Sequence, residues 1–420
     1  MAVGVGCLVA VGTIHSAPAR PRTPVILAGS KINPAGQTHV EGLEIQEKGA
    51  FKTPLRFIEH VIAKDLRSGY HVAVADLNHD GRPDIIALAA GGPDLVWYEN
   101  PTWERHVLVS GLPRMINCAP GNPGSDGIPE IAVAWEFSND PVKSIGKVGV
   151  LRRDGDPRQP WKLQQIDTIP TSHRVRWADI DGSGTKVVIN AALTGPHAAP
   201  PNYSGTHAPL VLYRPGEWKR ELISDANEGV QHGLLVTRWN RNDLRDSVLT
   251  ASFSGIHVYQ FGPSMWSRTE ITNGNPAPCP KCGSSDVALG YLGSMKFLAA
   301  IEPWHGNQVV IYSPNGGVWD RKVIDDSLVD GHTIVAADFD GDGRDEVVAG
   351  FRQGAKSVFL YRANPAGAWT KQVLDAGGMP GAACVAADLN ADGAPDLVCI
   401  GGASLKWYEN LSRSTKPGGK

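Results

Sequence analysis

A segment that opens with an aromatic residue and carries a basic one recurs seven times along this 420-residue chain. The copies are FIEHVIA from 57, WERHVLV from 103, WKLQQID from 161, WKRELIS from 218, WSRTEIT from 266, WDRKVID from 319 and WTKQVLD from 369. They lie 46 to 58 residues apart, the period of a blade that must stack on its neighbours to bury its faces. A second set runs in step: LVWYENP, VGVLRRD, LVLYRPG, IHVYQFG, VVIYSPN, VFLYRAN and LKWYENL. Before each comes an apolar strand, an acidic or Gly-rich turn, and another apolar strand. Four strands in each of seven units predict an all-β, seven-bladed β-propeller. The first copy lacks its three preceding strands and the last unit lacks a fourth. Joining the two completes a blade from both termini and leaves no open edge. The ring is expected over 51–412, with an apolar leader over 1–22, a linker over 23–50 and a tail over 413–420.

Composition agrees: 48 Gly and 31 Pro suit a chain of many turns. A formal charge of −3 without a basic block argues against nucleic acid as a partner, and no apolar run is long enough for a transmembrane segment. The N-terminus, MAVGVGCLVAVGTIHSAPARPRTP, has an apolar stretch followed by small residues near Ser16 and Ala17. It reads as a secretory signal, although no Lys or Arg precedes the apolar run; the other reading is a plain apolar tail. Export to the periplasm or the exterior is expected. Cys7 does not mark a lipoprotein, because Gly4 stands where a lipobox has Leu. Cys279 and Cys282, in CPKC, suit half a zinc site or a local disulfide. Cys118, Cys384 and Cys399 read as buried small apolar residues.

The stretch GHTIVAADFDGDGRDEVVAGF, 331–351, spaces Asp338, Asp340, Asp342 and Asp345 around Gly343. Alternating acids on a tight loop supply the oxygens that calcium takes. This is no EF-hand: the twelfth position is Ala349 and the flanks are short, apolar and β-rich. Equivalent full turns are DLNHDGRPD, with Asp76, Asn78, Asp80 and Asp84, and DLNADGAPD, with Asp388, Asn390, Asp392 and Asp396. DIDGSG, with Asp179 and Asp181, is reduced. Structural Ca²⁺ is expected in these turns, which tie the inner two strands of a blade whether or not an ion is bound. They resemble the FG-GAP or VCBS repeats of integrin α-chains and many secreted bacterial proteins.

The acidic turns lie on one face of the disc, so the start of each inner strand lies at the opposite mouth of the central channel. Counting back from the turns gives His332, His173 and His232 in one register, Tyr70 in blade one with His71 beside it, Met115 near Asn117 in blade two, and Ala382 in blade seven. Strand period two makes His71 point into the blade unless a bulge re-aims it. Turns that share this mouth carry Glu302, Trp304 and His305 in blade five, Arg352 in blade six, and Trp135 with Glu136 in blade two. Blade three has a long insertion with His197, Tyr203 and His207, placed to act as a lid. A single strand histidine is commonly a core residue; three in one register with a fourth in a turn point to a functional cluster.

Imidazoles with a carboxylate hold a divalent metal, here Zn²⁺, Mg²⁺ or Ca²⁺, with open positions that polarise a carbonyl. Alternatively an imidazole or Tyr70 acts as base, with Arg352 or Arg174 on a carboxylate or oxyanion. Both routes abstract a proton beside a carbonyl. Trp135, Trp304 and Tyr203 offer flat surfaces for a sugar ring, or else pack the blades.

The series HRVRWADIDG, QHGLLV, EPWHGNQVVIY and GHTIVAADFDGDGRDEVVAG resembles the propeller domain of the aldos-2-ulose dehydratases, over roughly 55–412 and most closely in blades three to six. That family removes water from keto-sugars such as 1,5-anhydrofructose and glucosone. The resemblance implies that His173, His232, His305 and His332 line a dehydration site with a divalent metal. His173 or His332 is expected as base or metal ligand, with His232 and His305 completing the cluster and Glu302 orienting one of them. It implies no second, isomerising step, because the family's cupin domains have no counterpart in these 420 residues. Propeller lyases that cleave at uronic acids are a second resemblance. A carbon–oxygen lyase acting on a sugar by β-elimination is therefore expected; a non-enzymatic propeller that binds carbohydrate or protein is the other class.

Overall fold

The computed structural model describes residues 31–32, 38–40, 54–123 and 127–412. The expected leader and tail lie outside them. Among the described residues there is no helix long and apolar enough to cross a membrane.

Seven antiparallel sheets form the blades. Their inner strands are Gly69–Ala75, Asn117–Gly121, Ser172–Ala178, Gln231–Thr237, Asp286–Leu292, Gly331–Ala337 and Ala383–Ala387. Blade seven is completed by Phe57–Ala63, which pairs antiparallel with Ser404–Asn410 in a register running from Phe57 opposite Asn410. Thus the two ends of the chain close the ring, as the repeat count requires. Two short strands, Lys31–Ile32 and Thr38–Val40, extend the outer edge of that sheet, so part of the expected linker adds to blade seven.

The repeated sequence has a physical origin in a latch between blades. The third-strand tyrosine of one blade donates its hydroxyl to an acid at the end of the outer strand of the blade before it. Tyr213 reaches Asp167 at 2.6 Å, Tyr361 reaches Asp325 at 2.7 Å and Tyr408 reaches Asp375 at 2.8 Å. The basic residue two places after the tryptophan joins the same acid: Arg220 on Asp167 and Lys371 on Asp325. The latch is not universal: in blade four Ser224 stands at the acid's place, and Asn227 meets Tyr259 and Arg268 instead. In blade five the preceding outer strand ends in Thr272. There Glu302 supplies the carboxylate, taking bonds from Tyr312, from Ser284 at 2.8 Å and from Arg321 at 2.9 and 2.7 Å.

Among the described residues there are two disulfides. Cys279–Cys282 closes the CPKC turn. Cys384–Cys399 links residues directly opposite on the inner two strands of blade seven. This corrects the reading of Cys384 and Cys399 as simple core residues: facing positions on paired strands bring their Cα atoms to 4.1 Å. Cys118 is a free, buried thiol.

Candidate functional site

Four inner strands carry the same irregularity at the same place. In blade six Gly331 pairs with Phe351 and Thr333 with Gly350, so His332 has no partner in the ladder. The pairing skips His232, His173 and Tyr70 in the same way. Such a bulge re-aims the extra side chain. Alternation resumes after it, so Val175 and Trp177 fill the blade core while both His173 and Arg174 leave it. The bulge in blade one falls on Tyr70, and His71, in ordinary alternation behind it, also lines the channel. Tyr70 and His71 therefore both line the channel. His71 Nε2 meets the Cys118 carbonyl at 2.9 Å.

His232, His305 and His332 each bring one ring nitrogen to a common point, the three lying within 4.8 Å of one another. His232 and His305 approach to 3.2 Å through Nε2. His232 donates its Nδ1–H to the Ser285 carbonyl at 3.0 Å, and His332 donates its Nδ1–H to the Ala382 carbonyl. A ring held by a carbonyl at Nδ1 keeps its proton there and presents a bare Nε2. His305 sits in the EPWHGN turn, with φ at 49°. The turn is tight: a Cβ on Gly306 would lie 2.2 Å from the Glu302 carbonyl oxygen. His305 Nδ1 stands 3.2 Å from Asp330 Oδ1, and Arg352 grips Asp330 through two bonds, at 3.0 and 2.9 Å. On the other side the Tyr70 hydroxyl lies 3.1 Å from His332 Nε2.

Burial holds His173, His232 and His332 well below the ordinary histidine pKa; the charge of Arg174 adds to this at His173 and His232, and that of Arg352 at His332. His305 is lowered by burial as well, against the pull of Asp330. Burial alone would raise Asp330, but its bonds from His305 and Arg352 outweigh it and hold the carboxyl at about 2. Neutral imidazoles are the form that ligates a metal. Two nitrogens ~2.0–2.1 Å from a shared ion stand ~3.2–3.4 Å apart at near-tetrahedral angles, a spacing the His232–His305 pair matches. The residues fit a divalent ion.

His173 stacks between His232 and Phe137, with ring centroids 4.8 and 5.3 Å away, but is not one of the converging three. Its stability effect has a definite sign. Its folded pKa lies below the unfolded value of 6.5, so the unfolded chain binds the extra proton in acid. The stability it contributes is complete above pH 6.5 and is lost as pH falls below that value towards the folded pKa. The difference in unfolding free energy between the wild type and His173→Gln is expected to shrink by about 1.4 kcal/mol per pH unit below 6.5, as denaturant titrations at several pH values would show.

Other expected site residues fall elsewhere. Glu302 is fully buried in the blade-five latch and has no histidine among its hydrogen-bond partners; Asp330 is the carboxylate on His305. Trp135, 4% exposed, packs in the core with Trp161 and Leu163, leaving no free face for a sugar. Glu136 is paired with Lys147. His197 and His207 are exposed in the insertion. Tyr203 instead turns inward, stacking edge-on to Trp304 at 5.8 Å. With Phe137, Phe253 and Trp304 it makes an apolar roof beside the histidines. Trp304 and His305 also line a groove of about 420 Å³ with Asn275, Lys281, Asn307 and Asp330.

The acidic turns are tied by their own backbone. Asp338 accepts from the amides of Gly341, Asp342 and Gly343, and Asp76 and Asp388 repeat the pattern. Asp179 does the same for Gly182 and Gly184, and Asp181 accepts from Ser183. Asn78 and Asn390 bond Asp80 and Asp392, and Asp342 receives the Arg344 amide at 2.8 Å. The last acid of a turn points inward: Asp84 accepts from Leu77 and Asn100, and Asp396 from Leu389 and Asn410. In blade six Asp338, Asp340 and Glu346 bring carboxylate oxygens within 4.8 Å of one another, and Arg362 also reaches Asp340. Carboxylate oxygens are among the hard oxygen donors that calcium takes.

Residues 145–315 match the family model for the β-propeller domain of aldos-2-ulose dehydratase, which takes in His173, His232 and His305. Residues 68–101 match the FG-GAP repeat and 338–399 the FG-GAP-like repeat. The aldos-2-ulose dehydratase of Phanerodontia chrysosporium is 25% identical over 228 residues, covering 48% of this chain and 25% of that protein. The matched part thus spans about a quarter of the relative's length. The chain is a seven-bladed propeller that carries FG-GAP repeats and resembles, across its central blades, the propeller of the aldos-2-ulose dehydratases.

Proposed function

We propose that this protein is a carbon–oxygen lyase that eliminates water from a keto-sugar at the histidine mouth of its channel. The observation that carries the reading is the meeting of His232, His305 and His332, each neutral, two of them with the lone pair fixed inward by a carbonyl. The three nitrogens would hold a divalent ion, which when bound would supply Lewis acidity toward a carbonyl oxygen and so acidify the neighbouring C–H. Tyr70, whose hydroxyl lies 3.1 Å from His332 Nε2, is placed to exchange a proton with that carbon. Arg352 and Asp330 fix the His305 ring. The apolar roof of Tyr203, Phe253 and Trp304 limits access of water and offers a flat face to a sugar ring. Similarity to the dehydratase propeller supports the substrate class, and two disulfides suit an exported protein.

An ultraviolet scan for a conjugated carbonyl tests the reading. The protein is mixed with 1,5-anhydrofructose, glucosone or a glucuronate-ended oligosaccharide, with and without chelator. Product from either keto-sugar supports dehydration, and product from the oligosaccharide alone means a uronate lyase. Silence across the panel leaves a carbohydrate- or protein-binding propeller.

Structural calcium in the acidic turns belongs to the same reading. Asp338→Ala removes the acceptor for three amides and is expected to lower stability by about 1–3 kcal/mol. It should also remove that turn's share of the calcium-dependent rise in Tm and leave sugar turnover unchanged; calorimetry with and without calcium checks this.

A further inference from the structure

Directly behind His332 the channel holds a second constellation. A cavity of about 120 Å³ is lined by Arg174 and Arg176 from blade three, His71 from blade one and Asp286 from blade five. Arg174 and Arg176 stand two apart on one strand and so share its channel face. Arg176 bonds Asn117 Oδ1 at 2.8 Å and the Val175 carbonyl at 2.7 Å, both neutral. Arg174 is only 7% exposed, and its Nη1 has no hydrogen-bond partner. Among the described residues neither guanidinium has a carboxylate at ion-pair distance. A buried guanidinium without an anion is costly, and evolved cores rarely keep one idle.

The charges facing this cavity from every wall can be counted. Arg174 and Arg176 contribute two positive charges and Asp286 one negative. His71 is neutral, held well below its ordinary pKa by burial and then by the two arginines. Arg352, beyond His332, is already matched by Asp330. One positive charge remains, in a space too small for a whole sugar but sufficient for a carboxylate and the carbon that bears it. A doubly charged phosphate would overmatch it.

We propose that this cavity is an anion subsite in which Arg174, backed by Arg176, takes the carboxylate of a sugar acid whose ring lies at the histidine cluster. The proposal rests on the sugar-lyase reading and adds to it a preference, among the sugars that reach the cluster, for one that also bears a carboxylate. Guanidinium and carboxylate match as planar groups, and Arg174 is close enough to the cluster to depress His173 and His232. The same bond would fix the orientation of the carbon from which the proton leaves.

Calorimetric titration of the full chain with glucuronate, its methyl ester, glucose and sodium acetate tests this. Glucuronate is expected to bind roughly 10- to 100-fold more tightly than its ester or glucose. Arg174→Gln should erase that preference while leaving the bound-metal content unchanged, and Arg176→Gln should reduce it; circular dichroism verifies folding. The ester comparison needs no variant, so a misfolded Arg174→Gln protein leaves the test intact. Equal affinity for acid and ester overturns the proposal, as does acetate binding that matches glucuronate. If the acid preference fails while a neutral keto-sugar still yields a conjugated carbonyl, the subsite falls and the lyase reading stands. If acid binds preferentially and no substrate turns over, the subsite stands and the lyase reading falls.

Discussion

Replacing His332 with alanine is expected to lower sugar elimination by about 10²–10⁴-fold. The substitution removes one of the three converging nitrogens, the same Nε2 that lies 3.1 Å from the Tyr70 hydroxyl when no ion takes its lone pair. The bound-metal content should fall in parallel. Losing the bond to the Ala382 carbonyl costs about 1–3 kcal/mol, which a ring of seven blades joined by latches can bear, so the variant should fold. His197→Ala provides the contrast, since that side chain is exposed in the insertion and its loss should change neither metal nor rate. Rates measured beside metal analysis and Tm separate a lost site from a lost fold. A His332→Ala protein that keeps its metal and its rate would remove His332 from the chemistry.

Glu302→Ala is expected to act on the fold. Its carboxylate is fully buried and accepts from Ser284, Tyr312 and Arg321. Removing it leaves a cation and two hydroxyls without their acceptor, at a cost of about 3–5 kcal/mol. The denaturation midpoint should drop sharply, while any folded fraction keeps its metal. Glu302→Gln, which retains one acceptor oxygen, should lose less. If Glu302→Ala kept the wild-type midpoint and lost turnover, Glu302 would be a catalytic group after all.

Glu302 also shows where reading along the chain stops. The repeat was legible because one latch, a third-strand tyrosine on the acid that ends the preceding outer strand, recurs in blades three, six and seven. One exception, Thr272 in place of an acid, is visible in the sequence. Its consequence, a carboxylate recruited from the next blade, is a contact in space. The register of His173, His232 and His332 was likewise legible, since each lies six residues before the position of its turn. The bulge that aims them was not, and it is what seats Tyr70 and His71 side by side in the channel. Ser285 and Asp330 were missed. Blade five has the tight turn GYLGS in place of an acidic one, so no anchor pointed back to Ser285, whose carbonyl fixes His232. Asp330 stands two residues before His332 in an irregular link with φ at 61°, and only folding brings it to His305. Trp135 illustrates the opposite error, an aromatic at a turn that the blade core absorbs.

The proposed elimination has one requirement, a divalent ion held by the His232, His305 and His332 nitrogens. Its most direct test is a titration of chelator-treated protein with Zn²⁺ in the presence of 1,5-anhydrofructose, following bound ion and conjugated-carbonyl absorbance together. The rate is expected to climb with the ion bound at this site and to level off at one equivalent, while a His232→Ala/His332→Ala protein stays silent. A rate indifferent to the ion, or undiminished in the double variant, would contradict it.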